Sequence, residues 1–162
     1  SHRLESRASC SDRNDRELRL TIPDDPAARN AWSCGVYLAQ ARVDRGRSPQ
    51  RSNSIPLVIA PRVTGIVPNP AARVGGDATL TIICHPRVLP EQSLSLLIGD
   101  REVTAKPFFH ATDSLEFFVE HAPPLADQPV RIRVDGVDSF PFRYDPVAGC
   151  FGFDEGQTGT IT

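Results

Sequence analysis

An internal repeat of β-strand motifs is the feature that most constrains the fold of this chain. Ser54–Pro61 (SIPLVIAP) and Ser139–Pro146 (SFPFRYDP) share the form Ser-apolar-Pro-apolar-x-apolar-x-Pro. A strand of period-2 alternation that ends in Val-Asp precedes each motif, at Ala39–Asp44 and at Val130–Asp135. A repeat of this kind indicates that one supersecondary unit occurs twice. We therefore expect two copies of one β-rich unit.

The two copies are unequal in length. We expect a complete unit over residues 61–146 and a partial unit over residues 1–60, followed by a Gly-rich tail, 147–162, with a short strand at 158–162. The partial unit contains only the last three strands of the plan, at 18–22, 36–43 and 55–59. Its front strands are missing, so it has an open sheet edge to which another strand can add. We expect the missing strands to be encoded upstream.

The complete unit has the pattern of an immunoglobulin-like β-sandwich. Fifteen prolines and eleven glycines separate short alternating strands, as in all-β domains with many turns. The last strand is expected to point Phe140, Phe142 and Tyr144 into the core. Seven strands are expected, at 62–66, 78–84, 94–98, 102–107, 114–119, 130–134 and 139–144.

Charge and hydropathy exclude some classes of partner. The formal net charge is only −2, which predicts neither nucleic-acid binding nor attraction to a membrane surface. No apolar run is long enough to cross a bilayer, so we expect no membrane insertion.

The four cysteines have no metal-type spacing and no CxxC motif. Cys84 closes an alternating strand and is expected to be buried. Two states are possible for Cys10 and Cys34. They could form a disulfide, which would indicate an oxidising compartment, or they could be free thiols, which would suit the cytoplasm.

No constellation in the sequence predicts catalysis. His85, His110 and His121 are expected in surface loops, and no serine lies in a strained nucleophile turn. The acidic pairs Asp12/Asp15 and Asp135/Asp138 offer too few oxygens for calcium and are interpreted as turn-forming residues. We therefore expect no enzyme activity, no cofactor and no metal.

The most directional surface feature is a stripe of arginines. Arg131, Arg133 and Arg143 are expected to share the outer face of the final hairpin, with Leu97 nearby. The stripe has two interpretations, a docking surface for an acidic partner or a solvated sheet face.

Several motifs resemble those of a known domain family. Pro61–Pro68 (PRVTGIVP) and Gly75–Ile82 (GGDATLTI) resemble the opening of an IPT/TIG immunoglobulin-like domain, and Ser52–Pro61 resembles the exit from a preceding copy. With Leu94–Asp100 and Val130–Ser139, the set is similar to the C-terminal part of tail-cap (terminator) proteins of contractile injection systems, which are phage-tail-like particles.

The resemblance implies a structural module without catalytic residues, cytoplasmic or associated with a particle. It would act through contacts with other subunits of a ring or with its own copies. The alternative is an extracytoplasmic immunoglobulin-like binding module of a bacterial surface protein or a polysaccharide-associated protein.

Overall fold

The computed structural model describes residues 32–44 and 49–162. These residues form an all-β protein with antiparallel strand pairing and one short 3-10 helix at Glu155–Gln157. By internal contacts the described residues divide between two compact units, one with residues 32, 37–44 and 49–57, the other with residues 33–36 and 58–162. The strands expected at 18–22 and the pair Asp12/Asp15 lie outside the described residues.

Four strands precede the larger unit's main sheets: β1 (Gly35–Ala39), β2 (Arg42–Asp44), β3 (Pro49–Arg51) and β4 (Ile55–Ile59). β1 pairs with β4, and β2 pairs with β3. The single strand expected at 36–43 is therefore two strands. Between the strands expected at 36–43 and 55–59 lies a further strand, β3, which pairs antiparallel with β2 so that Arg51 faces Arg42.

The larger unit contains two main antiparallel sheets. The first has the order β5-β6-β9 and the second the order β11-β10-β7-β8, with β14 beside β10. Their bounds are β5 (Arg62–Val67), β6 (Ala78–Val88), β7 (Leu94–Ile98), β8 (Arg101–Thr104), β9 (Thr112–Val119), β10 (Leu125–Val134), β11 (Val137–Asp138) and β14 (Thr158–Ile161). β12 (Phe142–Asp145) and β13 (Cys150–Phe153) form a separate two-stranded sheet.

Strict alternation on the central strands produces one hydrophobic core. On β6 every second side chain from Ala78 to Val88 is buried, and β9 buries Leu115, Phe117 and Val119. β7 contributes Leu94, Leu96 and Ile98, and β10 contributes Val130, Ile132 and Val134. Because both sheets contribute to the same cluster, the arrangement is sandwich-like.

The C-terminal strand β14 closes the second sheet at β10. Gly159 faces Gln128, Thr158 faces Pro129, and Ile161 is buried in the core. A strand therefore lies where the sequence predicts one at 158–162. A Cβ added at Gly159 would come within 2.7 Å of the Val130 side chain, so this close packing requires a glycine.

The expected final strand, 139–144, is a strand only from Phe142 onwards, and that strand, β12, does not pair with β10. Ser139 makes the last hydrogen bonds to β10 on this edge. Its N–H donates to the Ile132 carbonyl at 2.7 Å, and its side-chain Oγ, in place of a backbone carbonyl, accepts from the Ile132 N–H at 3.1 Å. Pro141 follows and has no N–H to donate, so the chain leaves the sheet. Phe140, Phe142 and Tyr144, expected inside, are all exposed.

Candidate interaction surfaces

The most unusual surface is the hairpin of β12 and β13. Phe142 faces Phe153 and Tyr144 faces Phe151 across the two strands, so these four rings share one face. The turn between the strands is held by Asp145, whose carboxylate accepts from the backbone N–H of Val147 at 2.8 Å and of Ala148 at 3.2 Å. These bonds hold the pKa of Asp145 below its ordinary value, Ala148 having the larger effect.

The aromatic rings of the hairpin contact one another. The ring centroids of Tyr144 and Phe151 are 5.3 Å apart, and those of Phe142 and Phe153 are 6.2 Å apart. Phe140 extends the cluster, with centroids 5.4 Å from Phe142 and 6.0 Å from Phe151. These separations lie in the range of favourable aromatic pairs. We name these five residues the aromatic hairpin surface.

No other described element covers the aromatic hairpin surface. Phe151 is 64% exposed, Tyr144 51%, Phe142 45% and Phe153 39%. An aromatic cluster with this exposure differs from the scattered apolar residues of an ordinary surface and is typical of an interaction site. The alternation of Phe142 and Tyr144 predicts a shared face, but the sequence analysis expects that face in the core. Phe151 and Phe153 alternate in the same way, and this is the sequence signal for the second strand of the hairpin.

The arginine stripe is only partly assembled. Arg131 lies directly opposite Leu97 in the β10–β7 ladder, and Arg133 lies opposite Ser95. Arg143 lies on β12, which pairs with β13 and not with β10. The expectation that all three arginines share one hairpin face is therefore wrong for Arg143, because the chain leaves the sheet at Pro141.

The two arginines that do share a face are paired with carboxylates. Arg133 Nε contacts Asp138 Oδ1 at 2.5 Å, and Arg131 contacts the other oxygen of Asp138 at 3.3 Å. Arg133 also contacts Glu102 at 3.2 Å. The hydrogen bond from Arg133 holds the pKa of Asp138 below its ordinary value. An acidic partner would have to displace these carboxylates, so binding at Arg131, Arg133 and Leu97 stays a prediction.

Asp135 has a structural role in the larger unit. Its carboxylate accepts from the Ser93 N–H at 2.9 Å and from Gln92 Nε2 at 2.8 Å. Gln92 Nε2 also donates to the Cys34 carbonyl at 2.8 Å. Asp135 therefore connects the loop before β7, the turn after β10 and the segment at Cys34. Asp135 lies in a turn with a positive φ of 49°, as expected of a turn-forming residue, but its carboxylate bonds Ser93 and Gln92 and not its own backbone.

Two cysteine thiols lie beside the same carbonyl group. Cys34 Sγ is 3.3 Å and Cys84 Sγ 3.8 Å from the Pro86 oxygen. Both thiols are free and buried, as expected for Cys84, and burial raises the pKa of each to about 12. Cys150 is free and exposed on β13. Cys10 lies outside the described residues.

His85, His110 and His121 are all exposed. His85 lies on β6, which continues to Val88 instead of ending at Cys84. Among residues 32–44 and 49–162, no group of three or more His, Cys, Asp or Glu side chains is placed to hold a metal ion. Within the same residues, no helix has the length and apolar character needed to span a membrane.

The comparison with protein-family models found one match. Residues 61–149 match the model described as a domain of unknown function, DUF8756. This segment extends from the start of β5 through β12 to the hairpin turn and makes up more than half of the chain. No curated protein matches the chain, and no solved structure matches it either. The chain belongs to the DUF8756 family.

Proposed function

We propose that this protein is a non-enzymatic structural module that acts through contacts with other protein subunits. The observation that carries the proposal is an exposed aromatic surface on a hairpin of a well-packed all-β unit. A packed sandwich can hold an exposed apolar patch in a fixed position, where another subunit can pack against it. Binding surfaces are often placed on scaffolds of this kind.

The strand order supports an immunoglobulin-like fold of the IPT/TIG type. In an immunoglobulin-like sandwich, strands A, B and E belong to one sheet and G, F, C and C′ to the other. The orders β5-β6-β9 and β11-β10-β7-β8 follow this plan when β5 is strand A and β11 is strand G. The sequence motifs that resemble IPT/TIG domains lie on β5 and β6, the first two strands of this plan.

The particular setting that we propose is the C-terminal region of a tail-cap protein in a contractile injection particle. The resemblance of the motifs at Leu94–Asp100 and Val130–Ser139 supports this setting. The first forms β7 and its turn, and the second forms the end of β10 with β11. We propose a cytoplasmic or particle-associated location.

Localisation on particles tests this function. Sheathed, tail-like particles from the native host are purified and labelled with an antibody against this chain for immunogold electron microscopy. We expect gold at one end of the particles. Labelling along the sheath would contradict the cap assignment. Protein present only in an exported fraction would instead favour the extracytoplasmic binding module, and a glycan screen would follow.

A further inference from the structure

Two cysteines that are far apart in the sequence meet in the core of the larger unit. Cys34 precedes β1 and Cys84 lies on β6, and their exposed fractions are 1% and 2%. Both Sγ atoms lie against the carbonyl oxygen of Pro86, at 3.3 Å and 3.8 Å. The two sulfurs are therefore at most about 7 Å apart, and rotation about each Cα–Cβ bond moves an Sγ atom by about 3 Å.

The backbone at both cysteines is held by contacts within the larger unit. The Cys34 carbonyl accepts a hydrogen bond from Gln92 Nε2 at 2.8 Å. Gly35, the next residue, has a φ of 142°, which favours glycine. Cys84 faces Val63 in the β5–β6 ladder. The proximity of the two thiols is therefore a property of the fold.

This proximity distinguishes the two cysteines from ordinary buried ones. A single buried cysteine usually acts as a small apolar residue. Here two thiols lie beside one acceptor, whereas Cys150 is exposed on β13. The structure thus indicates which two of the described thiols can join.

We propose that Cys34 and Cys84 form a disulfide when this chain folds in the presence of a disulfide oxidant. The partner of Cys34 is then Cys84 and not Cys10, the partner considered from the sequence. In a reducing compartment the two residues stay as thiols, so this pairing does not depend on the proposed function.

Oxidised glutathione can serve as the oxidant. One cysteine thiolate attacks a sulfur of oxidised glutathione and releases one glutathione thiolate, which leaves a mixed disulfide. The second cysteine thiolate attacks the protein sulfur of this mixed disulfide and releases the other glutathione. The two cysteines lose two protons and two electrons, and the two molecules of reduced glutathione carry them.

The exchange is expected during folding and not in the finished fold. Burial raises the pKa of both thiols to about 12. In the folded protein they are therefore protonated at neutral pH and shielded from glutathione. We expect the disulfide to form while the core is still open and then to resist reductants.

Loop length allows the pairing to be distinguished from random oxidation. The chain between Cys10 and Cys34 is about half as long as the chain between Cys34 and Cys84. In an unfolded chain, loop closure therefore favours the Cys10–Cys34 bond about threefold. A dominant Cys34–Cys84 bond requires the folded arrangement.

Disulfide mapping of the refolded chain tests the proposal. The reduced chain is refolded from denaturant in a buffer of reduced and oxidised glutathione, its free thiols are alkylated, and trypsin digests it. Arginines separate all four cysteines in the sequence, so each lies in its own tryptic peptide. The control is the same oxidation with the denaturant retained.

We expect linked Cys34–Cys84 peptides to exceed Cys10–Cys34 peptides about tenfold after refolding, and to be the minor species in denaturant. The oxidised chain should unfold about 10 °C above the reduced chain. Cys10→Ser should keep this difference, and Cys84→Ser should lose it. A refolded chain in which Cys34 joins Cys10 would overturn the proposal, and so would one in which Cys34 and Cys84 stay reduced or carry glutathione.

Discussion

β10 and β12 have the same alternating pattern but opposite environments. On β10, Val130, Ile132 and Val134 are fully buried between the sheets. On β12, Phe142 and Tyr144 alternate in the same way and remain about half exposed. Alternation therefore predicts a strand and shows which residues share a face, but it does not show whether another layer covers that face.

The difference has an identifiable cause in the strand order. If the β10–β11 register of Arg133 with Asp138 continued, Pro129 would face Phe142 and Gln128 would face Arg143. In the structure Pro129 faces Thr158 and Gln128 faces Gly159. β14 thus occupies the position that the final strand was expected to take, and β12 pairs with β13 instead.

The largest expected effect comes from a charge placed in the buried face of β10. Ile132→Asp should destabilise the larger unit by about 5 kcal/mol, because an unpaired carboxylate would be buried without donors. The matched control is Arg131→Ala on the opposite face, which removes a partly exposed ion pair and should cost at most about 1 kcal/mol. Urea unfolding measures both. Equal losses would contradict the register of β10.

A matched pair of phenylalanines compares the two faces directly. Phe117→Ala in the core should cost about 4 kcal/mol, since it leaves a cavity. Phe151→Ala in the aromatic hairpin should cost less than about 1 kcal/mol in the monomer, because most of this ring is already in contact with water. Thermal unfolding of the dilute variants measures the difference. Similar losses would mean that the hairpin is covered within the chain.

A methyl group at Gly159 tests the position of β14. Gly159→Ala should cost about 2 kcal/mol, because its Cβ would overlap the Val130 side chain. Gly65→Ala is the control, since its Cβ would meet only the side chain of Ile83, at 3.4 Å. Urea unfolding compares them. A Gly159→Ala variant as stable as the control would place β14 elsewhere.

The smallest expected effect is the acid dependence of the Asp138 cluster. The folded-state pKa of Asp138 lies below its ordinary value of 3.8, chiefly through the hydrogen bond from Arg133. Its stabilising contribution is therefore present above about pH 4 and is lost as the pH falls through the folded-state value. Asp138→Asn should remove this part of the acid dependence. The free energy of unfolding of both proteins is measured between about pH 5 and about pH 2. If Asp138→Asn loses as much stability over this range as the native protein, the ion pairing of Asp138 is contradicted.

Local patterns in the sequence predict much of the larger unit. The expected strands at 62–66, 94–98 and 114–119 are present with small changes at their ends, because turns and alternation are local signals. The pairing of β14 with β10 is not local: Gly159 and Gln128 are far apart in the chain. Local patterns cannot predict the aromatic hairpin for this reason, since the exposure of Tyr144 depends on which strand occupies the edge of β10.

Amide hydrogen exchange in dilute protein tests most directly the claim that the aromatic hairpin is uncovered while β10 is buried. The Asp154 N–H donates to the Pro141 carbonyl, so the alternation of the ladder directs the N–H groups of Phe151 and Phe153 away from β12. We predict that these two amides exchange without protection, whereas the Ile132 amide is protected because it donates to Ser139. Protection of the Phe151 and Phe153 amides as strong as that of Ile132 would contradict the account.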